Sequence, residues 1–184
     1  MKKKKRKLIP FSKLSKAEQR VKVAKDVLVQ LKNKKYIANM GAYIDGMDLE
    51  NSGLKNGDNI KSNFHKIKSC KCCALGSCIL SITKFKNTLI IGDVNSGKYP
   101  FYDNTKKLFK MFSPKQLLLI ENSFEGKPEG QNTSRIGYTV FMADTTFEEK
   151  EKCRSFYLQY PDTELRLIAI MKNIIANKGL FILK

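Results

Sequence analysis

Ser15-Lys16-Ala17-Glu18-Gln19-Arg20-Val21-Lys22-Val23-Ala24-Lys25-Asp26-Val27-Leu28-Val29-Gln30-Leu31 is the stretch that decides the fold class of this chain. It opens on a capping box: the Ser15 hydroxyl and the Glu18 carboxylate can each take a backbone N–H that a helix start leaves free. Val21, Ala24, Leu28 and Leu31 then return at helical spacing, and Lys32, Lys34 and Lys35 fall where cations favour a helix C-terminus. The stretch predicts an amphipathic helix whose outer face carries Arg20, Lys22 and Lys25.

The same chemistry recurs outward along the chain. Ser113-Pro114-Lys115-Gln116 joins an N-cap Ser, a proline at the first helical position and a capping Gln. The helix it predicts carries Leu117, Ile120 and Phe124 and stops at Gly126 before Pro128. Thr145 with Glu148 reads as a further box, opening a helix with Glu149, Cys153, Phe156, Tyr157 and Tyr160 on its inner face. Asp162 caps a last helix through Leu165, Ile168, Met171 and Ile175, ending near Asn177-Lys178-Gly179. From Cys70 to Phe85 an apolar stripe through Cys72, Leu75, Ile79, Ile82 and Phe85 predicts a buried helix. Tyr36 to Ile44, Thr88 to Ile91 and Ile136 to Met142 are short apolar runs that suit extended chain, and residues 45–63, 92–100 and 126–134 are turn-rich. The expected architecture is mainly α: about five helices in one compact domain, residues 12–184, with at most a small β element and a flexible basic tail over residues 1–11.

Charge is distributed unevenly. The net charge is +18; residues 1–35 hold 14 Lys and Arg against Glu18 and Asp26, a net +12, and the remaining residues contribute +6. Lys outnumbers Arg by 30 to 5, so a compositional drift toward lysine accounts for much of the +6. It accounts less well for the cluster. A basic arm, Lys2-Lys3-Lys4-Lys5-Arg6-Lys7, followed by a helix bearing Arg20, Lys22, Lys25, Lys32, Lys34 and Lys35 has the pattern of a phosphate-backbone footprint. The arm also has the composition of a nuclear import signal, which matters only in an organism with a nucleus. Leu8-Ile9-Pro10-Phe11 is too short for the apolar part of a secretory signal, and no apolar stretch approaches a membrane span. The expected location is therefore the cytoplasm of a host cell.

Two motifs suggest other chemistry. His65, Cys70, Cys73 and Cys78 could supply four zinc ligands, with Cys70 and Cys73 in C-x-x-C spacing. No second C-x-x-C follows, and the apolar stripe through Cys72 and Cys78 favours small buried core residues and no bound metal. Gly92 to Lys98, after the apolar Thr88 to Ile91, matches the G-x-x-x-x-G-K spacing of a phosphate-binding loop. Tyr99 replaces the Ser or Thr that would bind magnesium, and Pro100 interrupts the helix the phosphates need, so a surface turn is expected and no nucleotide cofactor. His65 is the only histidine and no catalytic triad or carboxylate pair assembles, so the pattern points away from an enzyme.

Four segments carry a resemblance: Val21-Lys22-Val23-Ala24-Lys25-Asp26-Val27-Leu28, the C-x-C-C-A-L-G-S pattern of Cys70 to Ser77, Phe112 to Phe124, and Ile170-Met171-Lys172-Asn173-Ile174-Ile175. Together they resemble an uncharacterised family of small bacterial and phage proteins. The resemblance implies a compact domain in a prokaryotic or phage setting, and no site residues. The functional expectation is a nucleic-acid-associated protein that contacts the DNA or RNA backbone. The alternative is a protein-binding module, such as a phage inhibitor, docking on an acidic or nucleic-acid-binding surface of its target.

Overall fold

The computed structural model describes residues 9–41, 43–45, 48, 51–55, 58–86, 108, 110–126 and 145–184. A 3-10 turn, Phe11–Lys13, leads into α1, Lys16–Lys32; β1, Tyr36–Ala38, follows. A short α2, Ile60–Asn63, and a second 3-10 turn, Phe64–Lys66, precede β2, Cys70–Cys72. Then come α3, Ala74–Phe85, α4, Pro114–Glu125, α5, Phe147–Gln159, and α6, Thr163–Ala176. The protein is mainly helical, with one small sheet among the described residues, and the five long helices are those read from the sequence.

α3 is the centre. Every residue from Ala74 to Thr83 is buried, as a helix apolar on all sides requires. α1 packs between α3 and α6; α4 touches both α3 and α6, so these four helices close a ring, and α5 lies on the outside of α4. Leu75, Leu80, Ile82, Leu31, Phe112, Phe124 and Ile170 meet inside. Each such side chain contributes about 1.5–3 kcal/mol by leaving water.

The caps explain where the helices begin. In the Ser15 box, Glu18 N–H donates to Ser15 Oγ at 3.3 Å and Ser15 N–H to Glu18 Oε2 at 2.8 Å. Ser113 Oγ accepts from Gln116 N–H at 3.2 Å, and Asp162 Oδ1 from Leu165 N–H at 2.7 Å. Gly126 closes α4 in the left-handed region, φ 62°.

Four details differ from expectation. Cys70 to Cys72 is strand, not helix: β2 pairs in parallel with β1, Tyr36 opposite Cys70 and Ala38 opposite Cys72, while Ile44 bridges its other edge. Cys73 then caps α3 with its thiol, which accepts from Gly76 N–H at 3.4 Å. The box on α5 is Thr146 with Glu149, one residue later than Thr145 with Glu148. Cys153 lies in the core, on the inner face expected for it, and Phe147 is 70% exposed. On α1 the buried stripe is Val23, Ala24, Val27 and Leu31, flanked by a half-buried Val21 and Leu28. Finally, the Gln116 amide makes no cap. It pairs with the backbone of Phe181 in both directions, at 3.0 and 2.7 Å. Asn173 does the same for Ile182 at 2.8 and 2.9 Å, so two side-chain amides pin the extended C-terminal strap over α4 and α6.

The largest side chain in the core is Arg166. Its guanidinium donates to Tyr160 O at 2.7 Å, Pro161 O at 2.8 Å and Phe124 O at 2.7 Å, and it lies 3.8 Å from the centre of the Tyr157 ring. A cation thus satisfies carbonyls at the C-terminal ends of α4 and α5, where the helix dipoles are negative.

Candidate nucleic-acid interface

Six of the twelve cations assigned to backbone binding, Lys2 to Lys7, lie outside the described residues. The other six divide according to what the fold does with them. Arg20 does not face solvent freely: its guanidinium donates to Met111 O and lies 5.8 Å from the Phe112 ring centre, and partial burial pulls its pKa down. Lys35 reaches inward, donating to Phe64 O at 2.9 Å beneath the Phe64 ring, and burial followed by the nearby Lys84 charge lowers its pKa. Lys34 is in the left-handed region, φ 55°, and pairs with Glu164 at 3.1 Å. Arg20 and Lys35 are thus committed to packing, whereas Lys34 stays exposed in a surface ion pair.

Lys22, Lys25 and Lys32 remain on the outer side of α1, with Lys25 and Lys32 exposed. At 3.6 residues per turn they share a face with Val29, itself 51% exposed. Their counter-charges on α1 are occupied. Glu18 turns back onto Ser15, and its pKa falls through those hydrogen bonds. Asp26 points the other way and accepts from Lys84 Nζ at 2.6 Å.

The structure adds cations that the helical pattern did not nominate. Phe11 stacks on Phe85 with ring centres 4.7 Å apart. Lys22 Nζ lies 5.3 Å from the Phe85 ring centre and Lys86 Nζ 5.5 Å from that of Phe11. Burial, then the charges of Lys16 and Lys110, lower the Lys86 pKa, which places three ammonium groups from three chain segments in one neighbourhood. Arg20, by holding Met111, fixes the residue next to Lys110. The signal in the sequence is the repeated juxtaposition of Phe and Lys: Phe11-Ser12-Lys13, Lys84-Phe85-Lys86 and Lys110-Met111-Phe112. Helical periodicity cannot detect it, because the segments meet only in the fold.

The four residues of the alternative zinc set are not brought together. His65 is exposed on its 3-10 turn, whereas Cys70, Cys73 and Cys78 are buried in β2, at the α3 cap and inside α3. Among the described residues no three His, Cys, Asp or Glu side chains converge as a metal site would require. Burial raises the Cys70 and Cys78 thiols to about 12, and pushes Cys72 and Cys73 up as well, so the neutral thiol is favoured throughout. The Gly92 to Lys98 turn and the Thr88 to Ile91 and Ile136 to Met142 runs lie outside the described residues.

Comparison of the chain with models of protein families, with curated proteins and with solved structures found no match. Among the described residues no helix is long and apolar enough to cross a membrane.

Proposed function

We propose that this chain is a small basic protein that binds the phosphate backbone of nucleic acid. The observation that carries the reading is the convergence of positive charge at one end of the fold. Lys22 and Lys86 lie over the Phe11–Phe85 pair, the charges of Lys16 and Lys110 act on Lys86, and the six cations of Lys2 to Lys7 precede Phe11 in the sequence. Like charges brought together oppose folding, and a polyanion relieves that opposition by releasing its own counterions. Lys25 and Lys32 extend the basic surface along α1.

Lysines that contact only phosphates position a protein and read no bases, so binding is nearly uniform across sequences. The test is anisotropy titration of a labelled oligonucleotide with the full chain at several salt concentrations. Each phosphate contact contributes about −0.9 to the slope of log K against log salt on duplex DNA. Replacing Lys2, Lys3, Lys4, Lys5, Arg6 and Lys7 with glutamine lowers the slope magnitude by roughly 2 to 4. Absence of binding to DNA and RNA at about 0.15 M salt refutes the reading. A partner captured from host lysate that survives nuclease treatment would instead favour an acidic protein surface as the target.

A further inference from the structure

The basic end of the fold has a composition that discriminates between kinds of nucleic acid. Proteins that hold single strands combine a cationic groove with open aromatic faces on which unstacked bases lie. Among the described residues here, the aromatic faces are already used. Phe11 is 7% exposed and stacked on Phe85, and Lys22 and Lys86 lie over the two rings. Phe112, under Arg20, is 2% exposed. The strongly exposed Phe147 sits at the start of α5 beside Glu148 and Glu149, where phosphate is repelled. Among the described residues, what the cluster presents is ammonium groups without a stacking platform. Lys16 and Lys110 are exposed, Lys22 is half-exposed over its ring, and Glu18 is folded back onto the helix start.

Resting on the backbone-binding reading above, we infer that Lys22, over the Phe85 ring, together with the exposed Lys16 at the start of α1 and Lys110 beside the Arg20-held Met111, forms the phosphate-gripping part of the surface, and that its ligand is the backbone of double-stranded nucleic acid in preference to single strands. Duplex offers one charge per roughly 1.7 Å of axis, the density that a compact set of point charges exploits, and it asks for no stacking. Arg20 is a positioning residue: its bond to Met111 O and its place over Phe112 hold the turn that carries Lys110.

The experiment compares a duplex of about 25 base pairs, well beyond one turn of about 10, with either of its single strands. The proteins are the full chain, the Lys16→Gln/Lys22→Gln/Lys110→Gln variant, and Lys61→Gln/Lys68→Gln as a control on the α2 side. Three duplex contacts are worth about 2.7 in the salt slope, so between about 0.05 and 0.2 M salt the wild type loses about 40-fold more affinity than the triple variant. The control matches wild type, and the duplex binds more tightly than its strands. Arg20→Met reproduces part of the loss and leaves the slope from the tail in place. An unchanged slope in the triple variant, with wild-type binding intact, overturns the assignment of these lysines. Tighter binding of the single strand overturns the choice of ligand. Failure of the wild type to bind either probe instead refutes the underlying function. All of the variants replace exposed or half-exposed side chains, and thermal unfolding of each confirms that a lost slope is not a lost fold.

Discussion

Arg166 gives the sharpest test of how the core is held. The perturbation is Arg166→Met, which keeps the length of the side chain and removes the guanidinium. Three carbonyls, the buried Phe124 O and the part-buried Tyr160 O and Pro161 O, then lose their donor. Hydrogen bonds to a charged group are worth about 1.5–3 kcal/mol each, so the gross loss is about 5–9 kcal/mol. The contact with the Tyr157 ring adds up to about 2 kcal/mol in a dry setting. Against this, burying a cation costs several kcal/mol, which methionine does not incur. The expected net loss is about 2–4 kcal/mol. Urea unfolding followed by circular dichroism reads it as a midpoint lower by about 1–2 M at an ordinary m-value.

Arg166→Lys provides the discriminating comparison. Lysine keeps the buried charge, but its single ammonium cannot span carbonyls at the ends of two helices, nor lie flat on Tyr157. It should therefore be less stable than the methionine variant, although it is the more conservative change by charge. A lysine variant as stable as wild type, or a methionine variant within about 0.5 kcal/mol of it, refutes the account of Arg166 as a fork between α4 and α5.

Two further predictions follow from close packing and from buried thiols. A β-carbon on Gly76 would lie 1.5 Å from Tyr43 O, a backbone atom that also accepts from Cys73 N–H. Gly76→Ala should therefore cost several kcal/mol despite the better helix propensity of alanine, which is worth about 1 kcal/mol; a variant more stable than wild type in a thermal melt refutes that packing. Cys70 and Cys78 titrate near 12 in the fold against an ordinary 9.0. The unfolded chain releases these protons first, so their contribution to stability is complete below about pH 9 and drains away as pH rises toward 12. A urea midpoint that stays level from about pH 8 to 10.5 would contradict it.

The helices were legible because their start signals are local. Ser15, Ser113 and Asp162 each satisfy backbone donors within three residues, and nothing distant competes. The one slip in register has the same origin. Thr145-Thr146-Phe147-Glu148-Glu149 contains two overlapping boxes of equal local merit, and the sequence holds no local signal that chooses between them. Cys70-Lys71-Cys72 shows the two-residue alternation of a strand, buried, exposed, buried, but three residues are too few to outweigh the helical stripe that continues past them. Gln116 looks like a capping residue because the competing partner, Phe181, is 65 positions away.

The candidate interface was half legible for the same reason. A charge count locates cations along the chain and is silent about what each one touches. Arg20 and Lys35 stand on or beside the expected basic helix, yet their donors reach carbonyls of Met111 and Phe64. Lys16 and Lys110 carry no periodic signal, yet tertiary packing sets both beside Lys86. The distinction has an energetic consequence. A lysine already bonded to a carbonyl under a ring must give up that bond before it can serve a phosphate, which offsets much of the gain. An exposed lysine crowded by like charges gains from the same phosphate twice, by attraction and by relief of repulsion. Charge reversal at Lys16 or Lys110 should therefore weaken backbone binding more than charge reversal at Lys35, although Lys35 belongs to the denser basic stretch of the sequence.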